Sequence, residues 1–205
     1  MPDLEVTHLP LSLPRLPAEF HGYRLAQISD IHVDGRASRL PLDEVVDRVN
    51  QARPDLAALT GDFVSRHAMR HAETLADALG RSSAPDGGVA VLGNHDHGAG
   101  AEQVRAILRQ AGLIDLSNAA HTLRRGQACL HLAGVDDPMN GMDRLDLVLQ
   151  ALPAEGAAIL LCHVPDFADL SAASRRFDLQ ISGHTHGGQI RLPGIGPLFL
   201  PRLGR

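Results

Sequence analysis

Aspartate, histidine and asparagine recur in this chain directly after short apolar runs. Ser29-Asp30-Ile31-His32 follows YRLAQI, Thr60-Gly61-Asp62 follows LAAL, and Gly93-Asn94-His95-Asp96 follows VAVL. His163 follows AAILLC, and Gly183-His184-Thr185-His186 follows LQIS. Taken singly, each has an ordinary reading. Asp30 suits a turn or a helix cap, Asn94 beside Gly93 suits a turn, and His163 before Pro165 suits a satisfied core or surface histidine. Five such clusters in phase would make a poor core and a poor set of turns, and together they point to a shared metal site. Carboxylate, imidazole and amide oxygen are donors that suit Mn, Fe or Zn better than a thiolate metal. Asp30, His32, Asp62, Asn94, His163, His184 and His186 are too many for one tetrahedral zinc. They fit two ions roughly 3.5–4 Å apart, a spacing at which a carboxylate can bridge and a shared water becomes acidic near neutral pH.

The elements that would carry these residues alternate. Tyr23–Ser29, Leu56–Thr60, Val89–Leu92, Ala157–Cys162 and Leu179–Ser182 read as strands, with a further strand at Gln189–Leu192. Leu42, Val45, Val46 and Val49 repeat at helical spacing, with Asp43 and Glu44 in the favourable first turn and Pro54 after the end. Ala68–Leu79 reads as a second helix. Val104, Ile107, Leu108 and Ala111 mark a third, closed by Gly112. Thr122–Arg124 and Ala128–Val135 read as a hairpin around RRGQ. Leu145, Val148, Leu149 and Leu152 mark a helix ended by Pro153, and roughly 167–174 another. The alternation predicts an α/β fold with helices outside the sheets. Each polar cluster then lies at the carboxyl end of a strand, where α/β sheets place their ligand crevice.

The 205 residues fit one domain spanning 1–205. Aromatic residues are 3% of the chain, so the core must be built from Leu, Val, Ile and Ala. A net charge of −5 and few stacking side chains argue against nucleic acid as partner. Cys129 and Cys162 lie in apolar runs without C-x-x-C spacing, so they read as small buried hydrophobes. No apolar run has the length of a membrane span, and the Pro-rich start lacks the pattern of a signal peptide. The expected location is cytoplasmic or peripheral to a membrane.

The ordered set D-x-H, G-D, G-N-H-D, a lone His163 and G-H-T-H resembles the calcineurin-like metallophosphoesterase superfamily. The extended GHTHGGQIRLPG (183–194, preceded by Ile181-Ser182) is similar to a bacterial branch that includes UDP-2,3-diacylglucosamine pyrophosphatase-like phosphoesterases. The resemblance implies a four-layer α/β/β/α sandwich of two mixed sheets with a dinuclear site at its loops. It implies that Asp30, His32 and His186 hold one metal, that Asn94, His163 and His184 hold the other, and that Asp62 bridges them. Mn would be the first choice of metal, with Fe or Zn as alternatives. His95 would not ligate but would protonate the leaving oxygen, while a metal-bridging hydroxide attacks phosphorus. In this picture Gly183 frees the turn, and Gly187 and Gly188 let the backbone pass close to the site.

The substrate expected from this resemblance is a small phosphodiester or pyrophosphate, with a lipid-linked nucleotide as the sharpest candidate. Peripheral membrane contact through GIGPLFLP would fit, although ordinary strand packing also explains that run. The rival expectation is a non-catalytic metal-binding scaffold of the same fold, or an inactive fragment. Three departures stand out. Ser65 occupies the place where protein phosphatases carry an Asp that orients the acid histidine, a task Asp96 would take over here. Arg66 matches a phosphate-contacting Arg of those enzymes, and reads equally as a solvated loop charge. Asp34 intrudes as a turn residue. The chain also stops at Arg205, so strands that complete the second sheet in relatives are expected to be missing. Near the site, His97 reads as a solvated loop histidine, and Asp136 and Asp137 as turn residues.

Overall fold

Every strand of the first sheet runs the same way. A computed structural model describes residues 4–33, 42–65 and 72–186, and the backbone of 191–192 and 196–197. In it β1 (Leu25–Ile28), β2 (Leu56–Leu59), β3 (Gly88–Ala90) and β4 (Ile114–Asp115) lie side by side in chain order, all parallel. Helices α1 (Leu42–Ala52), α2 (Ala72–Leu79) and α3 (Asn94–Gln110) connect them. The second sheet contains β5 (Ala119–Arg125), β6 (Ala128–Gly134), β7 (Ala157–Leu161) and β8 (Leu179–Ile181), again in chain order. Here β5 and β6 form the expected hairpin, and β6, β7 and β8 are parallel. Helices α4 (Leu145–Ala151) and α5 (Ala168–Ala173) connect the parallel strands. Among the described residues the first sheet is all parallel and the second is mixed. The first has a helical crossover between its strands, and such crossovers return the chain in the same direction. β9 (Arg191–Leu192) and β10 (Gly196–Pro197) pair with each other antiparallel.

Strand alternation builds four layers from this chain. In β2, Ala57 and Leu59 face one core, with Leu75, Leu79, Val104 and Leu108 of the helices. Leu56 and Ala58 face the opposite way, toward Leu130, Leu132, Ile159 and Leu161 of the second sheet. Leu160 and Cys162 then face Val148, Leu152 and Phe167 on the far side. The helix–sheet–sheet–helix order follows from these three separate cores. Each fully buried Leu contributes roughly 1.5–3 kcal/mol, and the core between the sheets is mostly Leu, Val and Ala, with Ile159 and Phe20.

Three elements differ from the sequence expectation. α3 begins at Asn94, well before the periodic Val104, and its axis breaks at Gly100 (φ 121°). The apolar period starts only after that break, so periodicity missed the first turns. β4 is two residues long and carries no strand pattern. β5 begins at Ala119 rather than Thr122 because the ladder with β6 extends through Ala120 and His121. The expected positions 68–71, 189–190 and GIGPLFLP fall outside the described residues or their side chains do.

Candidate metal centre

Parallel strands end together, and the loops beyond β1 and β2 continue side by side after the strands stop. Asp30 donates its N–H to Gly61 O, His32 to Asp62 O and Val33 to Phe63 O, all at 2.9–3.0 Å. Across the sandwich, Gly183 donates to His163 O, so the loops after β7 and β8 are joined in the same way. Within these loops the backbone is strained. Among the described residues, five of the eight non-glycine residues with positive φ are candidate ligands: Asp30 (54°), His32 (46°), Asp62 (56°), His184 (71°) and His186 (48°). Such conformations are uncommon outside glycine, cost of order 1–3 kcal/mol each and gather at functional sites. Here they turn successive side chains inward at one edge.

Six of the seven predicted ligands and His95 converge there, and Asn94 opens α3 beside His95. His186 Nε2 lies 3.2 Å from Asp30 Oδ1 and 3.1 Å from His32 Nε2. His163 Nε2 lies 3.3 Å from Asp62 Oδ2 and 3.2 Å from His184 Nδ1. Asp62 Oδ2 is also 3.5 Å from His32 Nε2, so one carboxylate oxygen faces both groups. Among the described residues, the triads Asp30–His32–His186 and Asp62–His163–His184 each place three donors within 4.8 Å of one another. A third triad, His32–Asp62–His95, meets the same criterion, so proximity alone does not separate a ligand from a proton donor.

The donor set fits bound cations on independent grounds. The buried Oδ1 of Asn94 and Nε2 of His184 have no hydrogen-bond partner among the described residues. A buried polar atom without a partner costs about 1–3 kcal/mol, which an ion at Asn94 Oδ1 would relieve. His163 Nδ1 lies 2.7 Å from Thr60 O. A proton on Nδ1 donated to that carbonyl leaves Nε2 as the donor atom toward the site, the arrangement that orients ligating histidines. Sequence reading missed Thr60, because a backbone carbonyl carries no side-chain signal.

Charges respond accordingly. Burial works to raise the Asp62 carboxyl, yet the His163 hydrogen bond and charge, the His95 N–H and His32 outweigh it and hold it below the usual carboxylate range. Burial works against a charged His163, but Asp62 reverses this and lifts it to about 9. His32 and His184 are lowered, first by burial and then by neighbouring imidazoles. The site thus holds the Asp30 and Asp62 carboxylates among imidazoles, a set that cations would complete.

Close packing of the loops explains the glycines. A Cβ on Gly93 would lie 2.7 Å from the Asp62 backbone N, and one on Gly61 2.6 Å from Gly93 N. A Cβ on Gly183 would lie 2.5 Å from Asp30 Oδ2. Gly183 does not have a positive φ. Its expected role as the residue that frees the turn is therefore corrected: it admits Ser29 and Asp30. Gly93→Ala is expected to lower stability by about 1–3 kcal/mol and to weaken metal binding, because the clash falls on Asp62. Thermal unfolding and metal titration of the variant check this.

Other expectations change. Asp96 does not serve His95. Its carboxylate accepts backbone N–H bonds from Gly93, Asp62, Phe63 and Val64. Burial pushes it up to about 7, against the Gly93 N–H. His97 is no solvated histidine: its Nε2 lies 2.7 Å from Asp136 Oδ1, and that carboxylate also accepts from Arg105 Nη2 at 2.7 Å. Asp136 is thus a buried charge joining α3 to the end of β6, rather than a turn residue. Asp137 is the turn residue expected, accepting the N–H groups of Met139 and Asn140. Ser65 donates its N–H to Val33 O. Asp34, Arg66, Gly187 and Gly188 lie outside the described residues.

Four layers with a cluster of candidate metal-holding side chains at the strand ends make up the described structure. The profile of the calcineurin-like phosphoesterase family matches residues 23–188, and the chain belongs to that family. It is 32% identical over 205 residues to the uncharacterized metallophosphoesterase YkuE of Bacillus subtilis, spanning 98% of this chain and 71% of that one. It is 28% identical to the phosphodiesterase YaeI of Escherichia coli, spanning 87% of this chain and 66% of that one. A zebrafish (Danio rerio) transmembrane protein with metallophosphoesterase domain is 32% identical over 91% of this chain, which spans 45% of that protein. The chain therefore spans less than two thirds of the last two relatives. Among solved structures, a putative 5'-nucleotidase from Staphylococcus aureus shares the fold (TM-score 0.57, 16% identity, 80% of this chain and 45% of that one). No helix among the described residues is long and apolar enough to cross a membrane.

Proposed function

We propose that this chain is a dinuclear metal-dependent phosphoesterase that cleaves a phosphodiester or pyrophosphate bond. The observation that carries the reading is Asp62 Oδ2, 3.5 Å from His32 Nε2 and 3.3 Å from His163 Nε2, at the meeting of two donor groups. Asp30, His32 and His186 would hold one cation, and Asn94, His163 and His184 the other, with Asp62 shared. When bound, the cations supply Lewis acidity, neutralising phosphoryl charge and activating water as the nucleophile. The chain's own part is to fix the donors, hold Asp62 ionised, and present a proton to the leaving oxygen. In this reading His95 takes that last task; its ring lies edge-on to His32 with centroids 4.7 Å apart. The donor types favour Mn, with Fe or Zn as alternatives.

The substrate class follows from the GHTHGGQ run, whose resemblance is to phosphoesterases of nucleotide-linked lipids. In this reading the substrate is a small phosphoester, a lipid-linked nucleotide first, met in the cytoplasm or at a membrane surface. Protein stripped with chelator is expected to lose hydrolysis of bis(p-nitrophenyl) phosphate and to regain it with Mn²⁺. A folded sample that stays inactive with Mn²⁺, Fe²⁺ and Zn²⁺ alike would reject the enzyme reading in favour of a scaffold.

A further inference from the structure

Asp96 closes the G-N-H-D run, and it is wholly buried. Oδ2 accepts the N–H of Asp62 at 2.8 Å and of Gly93 at 2.9 Å, and Oδ1 accepts the N–H of Phe63 at 2.8 Å and of Val64 at 3.2 Å. Three of the four donors follow one another along the loop after β2. The fourth opens α3, so a single carboxylate ties two loops together. The tie is reciprocal. Asp62 Oδ1 accepts the N–H of His95 at 2.9 Å, one residue before Asp96. Asp62 Oδ1 is thereby occupied, while Oδ2 is the oxygen that faces His32 and His163.

We infer that Asp96 is a positioning residue for the carboxylate of Asp62: it holds Asp62 in its left-handed backbone conformation and so sets which oxygen two metals would share. The inference rests on the reading of Asp62 as a bridge. The physical reason lies in the donors. A residue at φ 56° is strained on its own, and the N–H groups at and after it point the same way. Two oxygens that accept four backbone N–H groups fasten that strained loop to the start of α3 before any ion arrives. A neutral amide cannot replace it. Asparagine keeps the shape but turns an NH2 toward two N–H donors, leaving them unpaired.

The test compares wild-type and Asp96→Asn apo-protein by Mn²⁺ titration and by electron paramagnetic resonance. Wild type is expected to bind two ions with the signal of an exchange-coupled pair. Asp96→Asn, with unchanged circular dichroism, is expected to bind the ions roughly 10–100-fold more weakly and to lose the coupled signal. A variant as tight and as coupled as wild type would overturn the role of Asp96 and leave the dinuclear reading standing. A wild type that binds a single uncoupled ion would overturn both. Should the variant not fold, hydrogen exchange in the wild-type apo-protein decides. The amides of Asp62, Phe63, Val64 and Gly93 are expected to be protected like those of β2, and fast exchange at these four would overturn the inference.

Discussion

Asp62→Ala is expected to bind no metal pair and to hydrolyse bis(p-nitrophenyl) phosphate at least ~10³-fold more slowly than wild type, an effect at the upper end for loss of a single electrostatic group. Three losses coincide. Oδ2 is the only carboxylate oxygen within 3.5 Å of both His32 Nε2 and His163 Nε2 among the described ion pairs, so the two donor groups lose their common member. His163 loses the partner that lifts it to about 9. The N–H of His95 loses its acceptor, so the turn that carries the proposed proton donor loosens as well. The fold is expected to survive, because the three hydrophobic cores contain none of these side chains. Metal content after dialysis, read beside the rate and the circular dichroism, checks the result. Two retained ions per chain in a folded variant would show that Asp62 is not the bridge.

Why the site could be read from the sequence, and where reading stopped, has a physical explanation. Side chains able to hold a metal are of a few types, and strands fix where they appear, so Asp30, His32, Asp62, Asn94, His163, His184 and His186 could be picked out as candidates by type and by position after apolar runs. The four layers came from the family resemblance, because β2 and β7 are apolar and buried along their whole length, so their sequence does not show which residue meets which core. What escaped was whatever depends on backbone groups or on contacts between distant segments. Asp96 looked like a partner for the histidine beside it, but its acceptors' needs are met by N–H groups that no sequence displays. Asp136 and Arg105 are 31 residues apart, and only the packing of α3 against the end of β6 brings them to 2.7 Å. Gly183 was read as freedom to turn. For Gly61 (φ 90°) that is half the reason, whereas for Gly93 and Gly183 the reason is a neighbouring ligand loop that leaves no room for a Cβ.

The same distinction between type and placement decides the role of His95. Its ring is close enough to His32 and Asp62 to count as a third donor triad, so a ligand role and a proton-donor role are both compatible with distance. They separate in their consequences. His95→Ala is expected to keep two ions with wild-type affinity and to lose about 10²–10⁴-fold in turnover of an alkyl phosphodiester, the usual contribution of a positioned general acid. With bis(p-nitrophenyl) phosphate the loss should be far smaller, because p-nitrophenolate departs without needing a proton. A ligand would behave otherwise: its removal would empty a metal position and slow both esters alike. The comparison of two leaving groups on one variant therefore reads the chemistry directly, and metal stoichiometry guards it. Equal losses on both esters, together with a missing ion, would move His95 into the metal shell and leave the leaving oxygen to be protonated by another group.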